Sequence, residues 1–171
     1  MLSTAYKNRI LNFLRYWLPA IVWMVLIFSF SSDTQSFHHS SKYFEPLLHW
    51  LFPKMSQPTI EMLHHSFRKY CHVAEYAILG WLAWRAIRKP VKRDPRAWRW
   101  AEAGLALAVV FAYAAGDELH QVFVPARTAQ ISDVLLDTCG GAIALLALWL
   151  RQKISWPVRS GVAAERRKQK E

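Results

Sequence analysis

The sequence predicts an all-α, polytopic membrane protein with four transmembrane helices and with both termini in the cytoplasm. Two observations support this fold class. Hydrophobic residues make up 53% of the chain, yet its mean hydropathy is only +0.05, so apolar blocks alternate with charged connections. The lysines and arginines cluster just beyond the ends of those blocks, which is the pattern of cytoplasmic loops in membrane proteins.

Four apolar blocks account for the four predicted helices. They cover residues 16–32, 70–87, 98–116 and 131–150, and each approaches the length of about 20 residues that a bilayer requires. The first block follows several basic residues, so a cleaved signal peptide is an alternative interpretation of it. Because three more apolar blocks follow, we expect a transmembrane helix instead.

The positions of the basic residues give the orientation. They are abundant before the first block, between the second and third blocks and after the fourth, so these three regions are expected in the cytoplasm. The chain then divides into a cytoplasmic N-terminus (1–15), a four-helix membrane domain (16–150) and a basic cytoplasmic tail (151–171). We expect the end of the tail, residues 165–171, to be disordered because it is too charged to bury apolar surface.

The predicted outer face carries a long loop, 33–69, and a short loop near 122–130. Within the long loop, residues 43–52 are too apolar for water and too few to span a bilayer, which favours an interfacial or re-entrant helix. Pro58 suits the first position of a helix that continues into the second block. At the opposite boundary we expect an aromatic belt. Its members are Trp17, Trp84, Trp98, Trp100, Trp149 and Trp156.

The net charge and the cysteines exclude several classes of protein. A formal net charge of +10 suits either nucleic acid or a membrane surface. The charges lie at the ends of apolar blocks, so a membrane is favoured and no nucleic-acid partner is expected. Cys71 and Cys139 both lie inside apolar blocks without CxxC spacing, so neither a zinc site nor a disulfide framework is predicted.

Polar side chains lie at the outer ends of all four predicted helices. Ionisable residues are costly near the core of a bilayer, so they tend to be functional. We expect these side chains to converge on the extracytoplasmic face. The set is Asp33, Lys69, His72, Glu75, Asp117, Glu118, His120, Gln121, Arg127, Asp133 and Asp137.

Helical spacing groups some of these residues. Lys69, His72 and Glu75 are three residues apart and share one helix face. Asp117, His120 and Gln121 share a face of the third helix by the same argument. Gly140 and Gly141 follow the acidic residues of the fourth block, and small residues let neighbouring helices approach closely.

Structural explanations compete with the functional ones. Asp133 could cap the N-terminus of the fourth helix. Arg127 could be an interfacial cation or could pair with Asp117 or Glu118. His72 and Glu75 could belong to an ion-pair network that joins the helices. The histidine pairs at 38–39 and 64–65 are expected to be solvated loop residues.

Three motifs resemble the VanZ-like family of membrane proteins. They are Lys69-x-x-His72-x-x-Glu75-Tyr76, Asp117-Glu118-x-His120-Gln121-x-x-x-Pro125-x-Arg127 and Asp133-x-x-x-Asp137-x-x-Gly140. The resemblance covers residues 19–150. It implies a small helical protein of the bacterial cytoplasmic membrane, in a family whose founding member is linked to resistance to the glycopeptide teicoplanin. It implies no particular reaction.

Two functional hypotheses follow from these residues. In the first, an enzyme acts on an envelope lipid or lipid-linked precursor at the outer leaflet, with His120 or His72 as general base and a carboxylate orienting it. The catalytic candidates are His72, Glu75, Asp117, Glu118 and His120. In the second, the same pocket binds a lipid headgroup without chemistry. The binding candidates are Asp33, Lys69, Gln121, Arg127 and Asp133.

A metal site is a weaker alternative, made of His72, Glu75, Asp117 and His120. Imidazole and carboxylate ligands suit zinc, iron or manganese, so a metal-dependent hydrolase is a third hypothesis. The spacing of these four residues does not by itself define a metal site, because they lie on only two helices and a third helix would have to contribute. The sequence assigns no cofactor and no oligomeric state.

Overall fold

The computed structural model describes residues 4–32, 46–48, 50–53, 55–91, 94, 96–123 and 130–168, with side chains described as far as Ile154. Four long helices form the fold: α1 (Thr4–Ser32), α2 (Gln57–Arg88), α3 (Trp100–Gln121) and α4 (Ile131–Lys168). Residues 46–48 and 50–51 are also helical. All regular structure in the described part of the chain is helical, so the all-α prediction is confirmed.

The four helices run alternately up and down, as contacts at their two ends show. At one end the ring of Phe28 in α1 lies 4.8 Å from that of His120 in α3. At the other end Arg85 of α2 donates a hydrogen bond to the carbonyl of Arg15, and the ring of Trp100 lies 5.8 Å from that of Trp149. We call these the polar end and the tryptophan end.

The helix α2 begins earlier than the second apolar block. Ser56 is its N-cap and a proline occupies its first turn, where the missing N–H costs no helical hydrogen bond. The prediction that Pro58 opens a helix running into the second block is therefore confirmed. His64, expected in a solvated loop, lies instead inside α2 and is only 2% exposed, so that expectation was wrong.

The helix α4 also continues beyond its apolar block, to Lys168. The prediction of a disordered end is therefore wrong for residues 165–168. Glutamate, arginine and lysine are good helix formers, and a helix already nucleated in a packed segment extends at little cost. At the other terminus, α1 starts at Thr4, so most of the predicted N-terminal region is helical as well.

Glycines set the distance between α2 and α4. A Cβ atom added at Gly140 would overlap the backbone of Val73, and one added at Gly80 would lie 2.9 Å from the Cα of Gly141. The obstacles are backbone atoms, so no side-chain rotation can relieve them. The predicted close approach at Gly140 and Gly141 is confirmed. It holds the acidic start of α4 against the middle of α2.

A small apolar core lies between the helices, while much of their outer surface is apolar. Ile27, Tyr76, Leu79, Val110 and Ala114 form one buried cluster. Among the described residues, two segments are long and apolar enough to cross a membrane, Arg9–Ser29 of α1 and Ile131–Ile154 of α4. Only 17% and 22% of their apolar windows are buried. Their remaining surface faces outward and suits contact with lipid.

A buried arginine fastens the connection between α2 and α3 at the tryptophan end. Arg88 is 3% exposed. Its Nη1 donates to Glu102 Oε2 at 2.8 Å, its Nε donates to Asp94 Oδ2 at 3.3 Å, and its Nη2 donates to the carbonyls of Arg96 and Ala97. We call Arg88, Asp94, Arg96 and Glu102 the Arg88 clamp. In this clamp the guanidinium of Arg88 donates hydrogen bonds to two carboxylates and two carbonyls, and these bonds compensate its buried charge.

Asp94 keeps its charge within this clamp. Hydrogen bonds from the Arg96 guanidinium lower the pKa of Asp94 from its ordinary value to about 2. A carboxyl with a lowered pKa stabilises the fold above its ordinary pKa and loses that contribution as the pH falls towards 2. At neutral pH Asp94 therefore remains a carboxylate.

Four tryptophans follow one another around the clamp. Trp84 stacks on Trp98 with ring centroids 5.6 Å apart, Trp98 meets Trp100 edge-on at 5.8 Å, and Trp100 meets Trp149. Arg88 lies over the ring of Trp84 at 5.5 Å. Four of the residues predicted for the aromatic belt thus lie at one end of the bundle. The side chain of Trp156 lies outside the described residues.

Candidate functional site

A polar cavity of about 30 Å³ lies at the polar end, between α2, α3 and α4. It is larger than the roughly 10–15 Å³ that one water molecule requires. Charged and amide side chains supply almost all of its lining. They are His65, Arg68, Lys69, His72, Glu118, Gln121, Asp133 and Asp137, with Leu136 as the one apolar member.

One face of α2 supplies the basic side of the cavity. His65, Arg68, Lys69 and His72 follow one another at intervals of one helical turn or less, so they project from the same face. Lys69 and His65 are exposed, while Arg68 and His72 are half-buried. The cationic groups therefore form the outer rim of the cavity, where a ligand would arrive first.

His72 lies between two carboxylates from different helices. Its Nδ1 is 3.9 Å from Oε2 of Glu75 in α2 and 3.9 Å from Oδ1 of Asp137 in α4. These distances are within ion-pair range when His72 is protonated, but they are longer than direct hydrogen bonds. The side chain of Asp137 is 8% exposed and that of His72 is 22% exposed. The His72 ring therefore lines the cavity with a carboxyl group from each of two helices within 4 Å of its Nδ1.

The acidic side of the cavity is more deeply buried than the basic side. Glu118, Gln121 and Asp137 are at most 9% exposed. Asp117, at 5% exposed, accepts a hydrogen bond of 3.4 Å from Gln121 Nε2. The predicted grouping of Asp117 and Gln121 on one face of α3 is therefore confirmed. Glu118, Gln121 and Asp137 make a polar floor below the basic rim, and Asp117 lies behind Gln121.

Glu118 and Asp133 also have structural roles. Glu118 Oε1 accepts a hydrogen bond from the backbone N–H of Gln130, which fixes the start of α4 against the end of α3. Asp133 lies in the first turn of α4, where a negative charge interacts favourably with the helix dipole. The helix-start explanation for Asp133 fits its position, and the same side chain also lines the cavity.

The structure does not bring every predicted residue to the cavity. His120 is turned towards α1, where its ring packs against that of Phe28, so it does not share the face of Asp117 and Gln121. Glu75 reaches His72 and Asp117 reaches Gln121, but neither carboxyl group lines the cavity. Asp33 and Arg127 lie outside the described residues.

Two lining residues were absent from the predicted set. His65 and Arg68 lie on the same face as Lys69 and His72. The signal that could have found them was the spacing of three and four residues, which continues from His72 back to His65. The assignment of residues 33–69 to a loop concealed it.

The structure gives no support to the metal alternative. Among the described residues, no three His, Cys, Asp or Glu side chains are arranged to hold one metal ion. Of the four proposed ligands, His120 faces α1 and is separated from the pair of His72 and Glu75.

The fold and the site define a class of small all-helical protein with apolar outer surfaces and a polar cavity at an end of the bundle. A family model described as VanZ/LLP1 matches residues 16–152, which is most of the sequence, so the chain belongs to the VanZ/LLP1 family. Family membership and the two apolar helices together indicate a membrane protein. No curated protein and no solved structure matches the chain.

Proposed function

We propose that this protein crosses the bacterial cytoplasmic membrane four times and binds the headgroup of an envelope lipid or lipid-linked precursor at its extracytoplasmic face. The observation that carries the proposal is the cavity itself, to which three helices contribute charged side chains at one end of the bundle. A cavity with a few convergent polar groups is the usual form of a ligand site. Apolar helix surfaces around it would admit the acyl part of a lipid.

The proposed orientation places the cavity outside the cell. The tryptophan end carries the basic connection between α2 and α3 and the basic extension of α4. Lysine and arginine accumulate on the cytoplasmic side of membrane proteins. The polar end, which contains the cavity, would then face the envelope, where lipid-linked cell-wall precursors are used.

Replacement of Asp137 with asparagine tests the function in cells. The expected result is loss of at least about tenfold in ligand affinity, because the buried carboxyl group of Asp137 that faces His72 becomes an amide. Susceptibility to teicoplanin should return to that of cells lacking the protein. The control is Glu61→Gln, the same chemical change at an exposed position of α2 away from the cavity. Parental susceptibility in a well-inserted Asp137→Asn variant contradicts the proposal.

A catalytic version of this function is supported by the geometry of His72. A histidine flanked by carboxylates at 3.9 Å has the arrangement of a general base whose protonated form is stabilised. An enzyme and a binding protein would have different effects on the composition of the cell envelope. A new or missing product in the lipid and precursor profile of cells containing the protein would indicate an enzyme, whereas unchanged profiles with altered antibiotic binding would indicate a binding protein.

A further inference from the structure

Carboxylates outnumber permanent cations around the cavity. Two side chains are always cationic, Arg68 and Lys69, and His65 and His72 are the other basic members of the lining. The carboxylates are Glu118, Asp133 and Asp137 in the lining, with Glu75 beside His72 and Asp117 beside Gln121. Carboxylates that crowd at a buried site either share protons or hold a cation.

A buried phenol lies in the apolar core, one helical turn from the cavity residue His72. Tyr76 is 0% exposed, and its hydroxyl has no hydrogen-bond partner among the residues that the structure describes. It follows His72 by one helical turn on the same face of α2. A buried hydroxyl normally has a partner, but Tyr76 does not line the cavity, so removing its hydroxyl tests whether a ligand is held by the lining residues alone.

The charges are arranged in two layers. The exposed or half-buried cations Arg68 and Lys69 lie at the rim, whereas the carboxylates of Glu118 and Asp137 are buried. A simple anion would be attracted by the rim and repelled by the floor. A zwitterion with a phosphate and an ammonium group would match both layers, because each of its charges would meet the opposite charge.

We propose that the cavity takes a primary ammonium group, held by the buried carboxylates of Glu118 and Asp137, while the cationic rim holds the phosphate of the same ligand. An ammonium group has three N–H donors and no acceptor, so it suits a floor of oxygen acceptors. The volume of about 30 Å³ accommodates a group of this size. This inference rests on the proposed headgroup-binding function and specifies its ligand class.

Two sources supply this chemistry, a phospholipid with an ethanolamine headgroup and a lipid-linked peptide with a free amine. The experiment uses the full-length protein in nanodiscs and measures bound ligand by native mass spectrometry. The phospholipid arm compares phosphatidylethanolamine with phosphatidylcholine, whose quaternary nitrogen has no N–H donor. The precursor arm compares a lipid-linked peptide carrying a free amine with the same molecule acetylated at that amine. Preference for the free amine in either arm identifies the source.

Three variants make the result specific. The expected result is an amine preference of at least about tenfold in the parent, which Asp137→Asn removes. Tyr76→Phe keeps the ring that packs against Tyr113 and is expected to leave the preference unchanged, because Tyr76 does not line the cavity. Lys69→Ala should weaken binding of all the phosphate-containing ligands by a similar factor, without changing the preference.

The binding experiment distinguishes failure of the ammonium inference from failure of the proposed headgroup-binding function. If the parent binds both members of each pair equally and Lys69→Ala weakens them all, headgroup binding stands and the ammonium inference is overturned. If Lys69→Ala and Asp137→Asn leave the binding of every ligand unchanged, the proposed function fails and the inference fails with it. A preference that persists in Asp137→Asn would show that the amine binds elsewhere.

Discussion

Replacing Gly140 with alanine is expected to lower the free energy of unfolding by about 3 kcal/mol, at the upper end of the cost of overpacking a core. The added Cβ would overlap the backbone of Val73, so α2 and α4 must separate. Asp137 lies one helical turn before Gly140, so its distance from His72 should increase as well. Ligand affinity and stability should therefore fall together. Denaturation with sodium dodecyl sulfate in mixed micelles measures the stability change.

Two other glycines provide the matched control. A Cβ atom added at Gly104 or Gly116 in α3 would have no atom within 4 Å. Alanine is favoured over glycine in a helix by about 1 kcal/mol, so Gly104→Ala and Gly116→Ala should be neutral or slightly stabilising. Equal effects at Gly104 and Gly140 would show that the close approach of α2 and α4 does not limit stability.

Replacing Arg88 with methionine is expected to cost about 3–5 kcal/mol, the range for breaking a buried ion pair by removing one partner. The change would leave Asp94 and Glu102, whose side chains are 11% and 13% exposed, without their shared guanidinium. The carbonyls of Arg96 and Ala97 would also lose their donor. The connection between α2 and α3 should then become sensitive to proteolysis, which limited trypsin digestion in detergent would detect.

Arg99 is the control for this change. Its Nη1 lies 3.6 Å from the same carboxylate of Glu102, but its side chain is 67% exposed. An exposed ion pair contributes at most about 1 kcal/mol, so Arg99→Met should change stability little. If Arg88→Met and Arg99→Met have the same small effect, the Arg88 clamp is not a major source of stability.

The all-helical fold could be predicted from the sequence because it depends on local composition. Apolar runs bounded by charge locate the middle of each helix, and Pro58 marks the start of α2 correctly. The ends of the helices were less predictable. The charged end of α4 stays helical to Lys168, since helix propagation depends on the segment that precedes it as well as on composition.

The candidate site was predicted in part. Helical spacing placed His72 near Glu75 and Asp117 near Gln121, as the structure shows. Spacing could not show that His120 turns towards Phe28, because residues three positions apart diverge by about 60° around a helix. The neighbours of a side chain at the edge of a helix face depend on how the helices are rotated against each other.

The Arg88 clamp could not be predicted from the sequence at all. Arg88 looked like one of several cytoplasmic cations near Arg85 and Lys89. Its burial depends on the left-handed conformation of Lys89, whose φ is 48°, and on the return of Asp94 and Glu102 to the end of α2. These contacts depend on the tertiary fold, so no local sequence pattern predicts them.

The central claim is that the polar end faces the outside of the cell and the tryptophan end faces the cytoplasm. Single cysteines at the exposed positions Glu61, Gln130 and Val91, in a variant lacking Cys71 and Cys139, test it by labelling intact cells with a membrane-impermeant maleimide. We predict labelling of Glu61→Cys and Gln130→Cys from outside, and labelling of Val91→Cys only after permeabilisation. Labelling of Val91→Cys but not Gln130→Cys in intact cells would contradict the account.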